Sequence, residues 1–377
     1  MFSKELFKKY IYPVATLSGS IIGVGFFSLP YVAMKAGIWL TLFYFTVLTV
    51  VMLGIHLIFA EISLNTPDFK RFPGFAGHYL GKKGEAVALI ASVVGTFGVL
   101  LAYLIIGGEF LSGILSPYIG GNSASYTFFY FLAAGIIVFF GIKIISKVEL
   151  FVLLLLFVSI IFIFIKGFFQ IKSGNIFALP AATLGDWKNF FLPYGPIIFA
   201  MWGTGLIPEV EEMLIGSKEL VKKVIVISTL IPAIIYLLFT LLILGITGGQ
   251  TTETALSGLG NFLGSGVVSI ALLAGVATTF AAFVSQALTL KKTLMYDLGV
   301  KPWQAFVMTC FTPLILFLLG LKSFIPLVSF IGGILLGIDG ILILLMYKKI
   351  GGKKSLIYSL SLIFMLGIIY ELVYSIK

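Results

Sequence analysis

Hydrophobic positions in this chain form long continuous runs instead of alternating with polar positions. Apolar runs of about 20 residues recur along all 377 residues, separated by short polar connections. A helix of about 20 apolar residues is long enough to cross the hydrocarbon core of a bilayer. The pattern predicts an all-α polytopic membrane protein with eleven transmembrane helices. These are expected at about residues 10–34, 38–62, 86–113, 125–142, 148–169, 190–213, 220–246, 264–292, 302–320, 324–347 and 353–374.

Positive charge is concentrated in alternate connections between these runs. A cytoplasmic N-terminus would place nineteen of the 25 Lys and Arg residues inside and six outside. Because Lys and Arg accumulate in cytoplasmic loops, we expect a multi-pass cell-membrane protein with a cytoplasmic N-terminus and an outside C-terminus. The outside connection at about 247–263 is half apolar. Either a short helix over the outer mouth or a plain surface loop would fit it.

The first and sixth spans are interrupted by the same glycine pattern. Glycine weakens a helix by about 1 kcal/mol relative to alanine, so a Gly-x-Gly sequence in mid-span favours local unwinding. Unwound backbone within a bilayer is tolerated only where protein buries it or where it lines a cavity. The two copies are Gly23-Val24-Gly25 with Pro30 beyond, and Gly203-Thr204-Gly205 with Pro208 beyond.

The matching breaks predict an internal repeat. Gly203 lies 180 positions after Gly23, and each stands in the first helix of a set of five. Because the first set starts inside and the second starts outside, the two sets form a 5+5 inverted repeat, which permits alternating access. We expect one transporter domain over 1–377. Repeat one covers about 10–169, repeat two about 190–347 and an extra helix about 353–374.

The residues around both breaks resemble those of a known superfamily. Ser20-Ile-Ile-Gly-Val-Gly-Phe-Phe-Ser-Leu-Pro-Tyr31, followed by Ala36-Gly37, resembles the first helix of amino acid permeases. Ile207-Pro208-Glu209-Val210 resembles their sixth-helix signature. The similarity is to the amino acid/auxin permease and hydroxy/aromatic amino acid permease families of the amino acid–polyamine–organocation superfamily. It implies a leucine-transporter-type fold and secondary transport of amino acids.

The breaks supply groups that suit a zwitterionic amino acid. Free N–H groups at a half-helix N-terminus favour a carboxylate, and carbonyls freed at the second break suit an ammonium. No charged side chain lies beside either break, so the expected substrate is neutral, either aromatic or branched. The alternative is that the glycines only permit close helix packing. The predicted substrate-binding residues are Ser20, Ile21, Gly23, Val24, Gly25, Tyr103, Phe199, Trp202, Gly203 and Thr204.

The resemblance also implies a place for a coupling ion. In sodium-coupled relatives the ion lies between first-helix carbonyls and a hydroxyl pair on the eighth helix. The matching residues here are Gly19 and Ile22, with Gly275, Thr278 and Thr279 in the eighth span. Neutral oxygen ligands suit a hard cation, so sodium is the expected coupling ion and no other cofactor is expected. The alternative is that both threonines only hydrogen-bond their own helix.

Three ionisable residues inside the spans are candidates for gating or proton transfer. They are His56, Glu209 and Asp339. Ionisable groups at membrane depth are functional candidates by default. Glu209 lies near a cytoplasmic helix end, where it could pair with inside lysines as a gate. Asp339 could pair in the same way or carry a proton, and His56 is the other candidate proton carrier.

Composition removes other classes of function. The chain is 60% hydrophobic and 11% charged, with a net charge of +10. Its lysines lie in separate short loops and form no continuous stripe, so we expect no nucleic-acid partner. The expected partners are an amino acid and the bilayer, with the protein a monomer. Two histidines and the lone Cys310 make no metal or nucleophile set, so no enzyme activity is expected. The leading prediction is a cation-coupled amino acid symporter; the alternatives are a proton-coupled symporter and a non-transporting amino acid sensor.

Overall fold

The structure is a computed structural model that describes residues 7–68, 70–141, 146–179, 182–183, 185–214 and 217–375. Regular structure in this part of the chain is helical, as predicted. The two chain ends lie outside the described residues, so the predicted cytoplasmic N-terminus and outside C-terminus stay predictions. In chain order the helices are α1 (Tyr12–Ile21), α2 (Leu29–Ala36), α3 (Ile38–Leu64), α4 (Phe72–Ile119), α5 (Ser123–Phe140), α6 (Ser146–Gly167), α7 (Ser173–Phe177), α8 (Trp187–Phe191), α9 (Tyr194–Met201), α10 (Ile207–Met213), α11 (Lys218–Thr247), α12 (Gly260–Leu263), α13 (Ser265–Tyr296), α14 (Pro302–Leu318), α15 (Phe324–Phe330), α16 (Leu336–Lys349) and α17 (Lys354–Ser375).

Most of these helices are suited to a bilayer. Within the described residues, eight helical segments are long and apolar enough to cross a membrane, and a ninth span results if one bent pair is counted as a single crossing. Leu154–Gln170 and Pro302–Leu318 are shorter apolar helices at two further predicted spans. The all-α, multi-pass architecture is therefore confirmed, while the count of eleven crossings and the inverted repeat stay predictions.

The first predicted span is broken at its glycines. Helix α1 ends at Ile21, and a 3₁₀-helix, Val24–Ser28, leads into α2. The two halves, Lys9–Ile21 and Val24–Ala36, are bent by 49°. Proline in the first turn of α2 suits a helix start, because the N–H it lacks would have no acceptor there.

The sixth predicted span is also discontinuous. Helix α9 ends at Met201, and Trp202 and Gly203 follow as non-helical residues. Trp202 has φ −73° and ψ 122°, which is extended backbone. A 3₁₀ turn, Thr204–Leu206, then leads into α10, again with proline in the first turn. Both broken spans therefore place helix ends in mid-span.

The connection before the third predicted span is more helical than the apolar pattern predicts. Helix α4 begins at Phe72 instead of near 86, and it turns at Gly81, which has φ 73° and ψ −173°. Glycine adopts this conformation without steric strain. The Phe59 and Phe75 rings lie 5.4 Å apart, centroid to centroid, and hold the added segment against α3.

The connection after α11 is a packed structure. It contains the 3₁₀ turns Gly248–Gln250 and Ser257–Leu259 and the short helix α12. The hydroxyls of Thr254 and Ser257 donate to Glu109 Oε1 of α4 at 2.8 and 2.7 Å. The segment therefore contains a short helix, as one of the two sequence interpretations expects, and its place over the outer mouth stays a prediction.

The tenth predicted span contains a widened turn. A π-helical turn, Ile331–Leu335, joins α15 to α16. A β-carbon on Gly332 would lie 2.0 Å from the Gly195 carbonyl oxygen. The backbone of α9 therefore lies directly against this turn. Sequence periodicity does not predict this close approach, because it joins helices that are distant in sequence.

Large apolar side chains cover much of the outer surface. Val50, Ile90 and Phe140 are 66%, 63% and 69% exposed. Lipid tails would cover such side chains. The centre of the core lies at the first break, where Phe26 is fully buried and Phe27 is 2% exposed.

Candidate functional site

At each break, the chain packs against the end of a helix in the other broken span. A β-carbon on Gly25 would lie 2.8 Å from Phe199 Cδ1 and 2.9 Å from Ala200 Cα. Both distances are shorter than van der Waals contact. The first break therefore approaches α9 this closely only because residue 25 has no side chain.

A reciprocal contact joins the second break to α1. A β-carbon on Gly203 would lie 2.5 Å from Ile21 Cγ1. A β-carbon on Gly23 would make only ordinary contacts, the nearest with the Tyr103 hydroxyl at 3.7 Å, and one on Gly205 would lie in open space. Gly23 also has extended backbone (φ −114°, ψ −161°) that other residues adopt. In each Gly-x-Gly only one glycine is required for close approach.

The first break offers fewer free donors than predicted. The Gly23 N–H donates back to the Ile21 carbonyl at 2.8 Å. Val24 and Gly25 begin the 3₁₀-helix, where N–H groups have no intrahelical acceptor. The Ser28 hydroxyl donates a hydrogen bond to the Gly25 carbonyl oxygen at 2.6 Å. Of the three predicted backbone donors, Val24 and Gly25 are the two that lie at a helix start.

The carbonyl ends of α1 and α9 converge on a tyrosine that the sequence analysis did not select. Tyr236 of α11 is fully buried. Its hydroxyl lies 2.7 Å from the Ile21 carbonyl oxygen and 3.2 Å from that of Ala200. Tyr103, a predicted site residue, is buried on α4 with its hydroxyl facing Gly23.

His56 is a structural part of the second break. It is fully buried on α3, and its Nε2 accepts the Gly203 N–H at 3.1 Å. Its Nδ1 lies 2.9 Å from Thr229 Oγ1 of α11. A backbone N–H can only donate, so Nε2 carries no proton and a neutral ring carries it on Nδ1. Both ring nitrogens are therefore engaged in positioning the break.

The remaining predicted substrate residues differ in their placement. Phe199 lies over Gly25, and Trp202 is half-buried against the core. Thr204 is buried at the start of the second 3₁₀ turn. Ser20 is exposed, and its hydroxyl donates to the Leu17 carbonyl at 2.9 Å. The aromatic pair lies close to the facing breaks, whereas the Ser20 hydroxyl is turned back onto its own helix.

The first-span residues of the predicted sodium site border a cavity. Gly19 and Ile22 line a space of about 450 Å³ between α1, α6 and α11, together with apolar side chains that include Phe157 and Ile231. No hydrogen bond among the described residues joins either of them to the eighth-span threonines.

The eighth-span residues of that site already make hydrogen bonds or close packing contacts. Thr278 donates to the carbonyls of Ala274 and Val152 at 2.8 and 3.1 Å, and Thr279 to that of Gly275 at 2.8 Å. A hydroxyl that donates keeps its oxygen lone pairs for a cation. Gly275 is packed against the Phe110 ring, which a β-carbon would meet at 2.6 Å.

The two carboxylate candidates have different environments. Asp339 of α16 is 8% exposed, and its Oδ1 has no hydrogen-bond partner among the described residues. Glu209 is exposed on α10. Its neighbour Glu211 makes the contact with α3, where it accepts the Ser63 hydroxyl. No group of three His, Cys, Asp or Glu side chains forms a metal site in the described part of the chain.

The residues that sequence reasoning missed lie on one face of α11. Tyr236 contacts both broken spans, Ser228 exchanges hydrogen bonds with the α1 segment at Val14 and Ser18, and Thr229 contacts His56, which holds the second break. Their spacing of seven and eight residues puts them on one helical face. Polar side chains within an apolar span are a signal that could have selected them.

Comparison with known proteins places the chain in a family. Residues 7–369 match the tryptophan/tyrosine permease family, and the chain belongs to it. A curated relative, tyrosine-specific transport system 1 of Haemophilus influenzae, is 24% identical over 228 residues, which are 60% of this chain. The match covers 55% of that relative, so the chain spans about half of its length. The crystal structure of MhsT in complex with L-phenylalanine has a TM-score of 0.66 at 15% identity, with coverage of 96% and 97% of the two chains. That likeness is one of fold.

Proposed function

We propose that this member of the tryptophan/tyrosine permease family is a cation-coupled symporter of a neutral aromatic amino acid, with sodium as its coupling ion. The observation that carries the proposal is the meeting of two mid-span breaks, where helix ends of both polarities face each other. Helix N-termini attract anions and C-termini attract cations. The N–H groups of Val24 and Gly25 would hold the carboxylate, and carbonyls at the ends of α1 and α9 the ammonium.

An aromatic substrate is supported in two ways. The relative from Haemophilus influenzae is named for tyrosine, and the MhsT structure contains L-phenylalanine. In this chain, Phe199 and Trp202 lie beside the breaks, and none of residues 18–29 or 199–208 is charged. A charged substrate side chain would therefore lack a counter-charge from these segments.

Sodium coupling rests on the oxygen groups around Gly19, Ile22, Gly275, Thr278 and Thr279. Backbone carbonyls and hydroxyls form the neutral oxygen set that a hard cation takes. One charge moving down a potential of about 100 mV supplies about 2.3 kcal/mol. That energy supports roughly a 50-fold substrate gradient, since about 1.4 kcal/mol is tenfold.

Proton coupling is the second candidate, and Asp339 favours it. A buried carboxylate with an oxygen that lacks a partner is costly, and binding a proton removes its charge. His56 is a weaker carrier, because a proton on Nε2 would oppose the Gly203 N–H that this nitrogen accepts.

Transport of labelled amino acids into proteoliposomes tests these proposals. We expect a sodium gradient to accumulate tyrosine, tryptophan or phenylalanine above the external concentration, with competition by unlabelled aromatic but not charged amino acids. Equal accumulation with a pH gradient alone would exclude sodium as the coupling ion and support proton coupling. Binding without accumulation would identify a sensor. The absence of both binding and accumulation would refute the transport proposal. Empty liposomes are the control.

The topology belongs to the same proposal: a cytoplasmic N-terminus, an outside C-terminus, two inverted repeats and a functional monomer. Reporter fusions placed after each hydrophobic segment test the topology. Two neighbouring connections reporting the same side would refute it.

A further inference from the structure

The hydroxyl of Tyr236 lies where two half-helices end. It is 2.7 Å from the carbonyl oxygen of Ile21, the last residue of α1, and 3.2 Å from that of Ala200, one residue before the end of α9. A phenol has one hydrogen to donate. That hydrogen is shared between carbonyls of the two broken spans, and the residues that carry these carbonyls, Ile21 and Ala200, lie more than 170 positions apart in sequence.

Such a junction has the electrostatic character of a cation site. The C-terminal end of a helix carries a partial negative charge of about half an electron, and two such ends converge here. Half-helix C-termini and unwound carbonyls are the groups that coordinate coupling cations in transporters with broken helices. In this chain a neutral side-chain donor meets both of them.

The position of this hydroxyl is held by the aromatic core. The Tyr236 ring stacks on Phe26 with centroids 5.6 Å apart and ring planes within 3°. Phe26 belongs to the 3₁₀-helix that follows the first break, and its ring also packs edge-on against Phe239. Because Tyr236 is fully buried, it has little room to turn its hydroxyl away from the two carbonyls.

We propose that Tyr236 is a positioning residue whose hydroxyl takes the place of a bound cation between the C-termini of α1 and α9. It holds the two breaks at a set separation and closes this junction to a coupling ion. The predicted sodium site, with Thr278 and Thr279, is a different place, so at most one cation accompanies each substrate. This inference rests on the proposed transport function.

Substrate binding as a function of cation concentration tests the inference. Binding of labelled tyrosine to purified protein is measured while sodium replaces choline at constant ionic strength. In Tyr236→Phe the ring stays and the donor is lost. The Ala200 carbonyl and the remaining lone pair of the Ile21 carbonyl, which also accepts the Gly23 N–H, become available to a small cation. We expect tyrosine to bind at least tenfold more weakly in choline and its binding to recover when sodium is added. The slope of the logarithm of the binding constant against the logarithm of the sodium concentration should be larger by about one than in the wild type.

Tyr347→Phe is the matched control, because it removes a phenolic hydroxyl from another buried tyrosine. Tyr347 lies on α16, and its ring packs against Gly352. It should bind as the wild type does. An unchanged cation dependence in Tyr236→Phe would overturn the inference, whatever the change in affinity, and so would an equal effect in the control.

The cation-to-substrate ratio of the wild-type protein is a second test that needs no variant. It is obtained from the substrate gradient reached at fixed sodium gradients. A ratio of one or less supports the inference, and two sodium ions per substrate would overturn it even if Tyr236→Phe failed to fold. If the wild type bound no amino acid, the proposed function itself would fail. Binding by the wild type with an unaltered Tyr236→Phe would refute only the role of this tyrosine.

Discussion

Replacing His56 by phenylalanine removes both ring nitrogens and keeps a planar ring of similar size. His56 is fully buried where α3 and α11 meet the second break. The substitution leaves the Gly203 N–H without its acceptor and removes one bond from the Thr229 hydroxyl. The backbone of the second break thereby loses the contact that positions it.

The magnitude follows from these two bonds. A buried N–H left unsatisfied costs about 1–3 kcal/mol, and loss of an ordinary hydrogen bond costs about 0.5–1.5 kcal/mol. Thr229 keeps its bond to the Ile225 carbonyl, at 2.9 Å, so its loss is the smaller one. We expect His56→Phe to destabilise the fold by about 2–4 kcal/mol. Substrate affinity should fall about tenfold or more, because about 1.4 kcal/mol at the site is a factor of ten.

Two further variants separate positioning from proton transfer. His56→Gln keeps one acceptor and one donor at the end of the side chain but cannot titrate, so it should restore most of the stability and transport lost in His56→Phe. His78→Phe is the matched control, since the other histidine is exposed and surface changes are usually within about 0.5 kcal/mol.

The measurements are the apparent melting temperature of the detergent-solubilised protein and the affinity for labelled tyrosine. The reasoning is refuted if His56→Phe melts and binds like the wild type, or if His78→Phe loses as much. A His56→Gln protein that is stable and binds substrate but has lost coupled uptake would instead identify His56 as a proton carrier.

Three other expectations follow from the same geometry. Gly25→Ala should reduce transport at least tenfold, because its β-carbon would meet the backbone of α9 at 2.9 Å, whereas Gly205→Ala, at the matching position of the second copy, should transport normally in the same uptake assay. Thr278→Val should raise the sodium concentration for half-maximal uptake about tenfold or more if that hydroxyl is an ion ligand, and Thr289→Val, an exposed threonine of the same helix, should leave it unchanged. Asp339→Asn should keep sodium-driven uptake and the melting temperature, since Oδ1 has no partner to lose, and abolished uptake would favour proton coupling.

The location of the breaks could be predicted from sequence because its causes are local. Glycine weakens a helix wherever it stands, and proline suits the first turn of the helix that follows. The chain accordingly leaves the helical conformation at Gly23 and at Gly203. The apolar runs predict the all-α multi-pass class for a similar reason, since each run must satisfy its own backbone in a bilayer.

The sequence pattern could not assign roles within each Gly-x-Gly. Gly25 and Gly203 are the close-packed glycines, while Gly23 and Gly205 have room for a side chain. That difference depends on which backbone lies opposite, and no property of the motif itself contains it. The same limit applies to His56, which the sequence marks only as an ionisable residue at membrane depth.

By itself the sequence determined that this chain forms apolar helices, that two of them are interrupted in mid-span, and that charge is kept away from the interruptions. These are properties of short segments and of their solvent, lipid or water. Only the tertiary structure decided what the interruptions meet: the Tyr236 hydroxyl against Ile21 and Ala200, and the His56 ring against Gly203. The physical reason is that each of these hydrogen bonds depends on a few ångströms of approach between groups 36 to 215 residues apart in the chain, and that distance is set by the packing of whole helices.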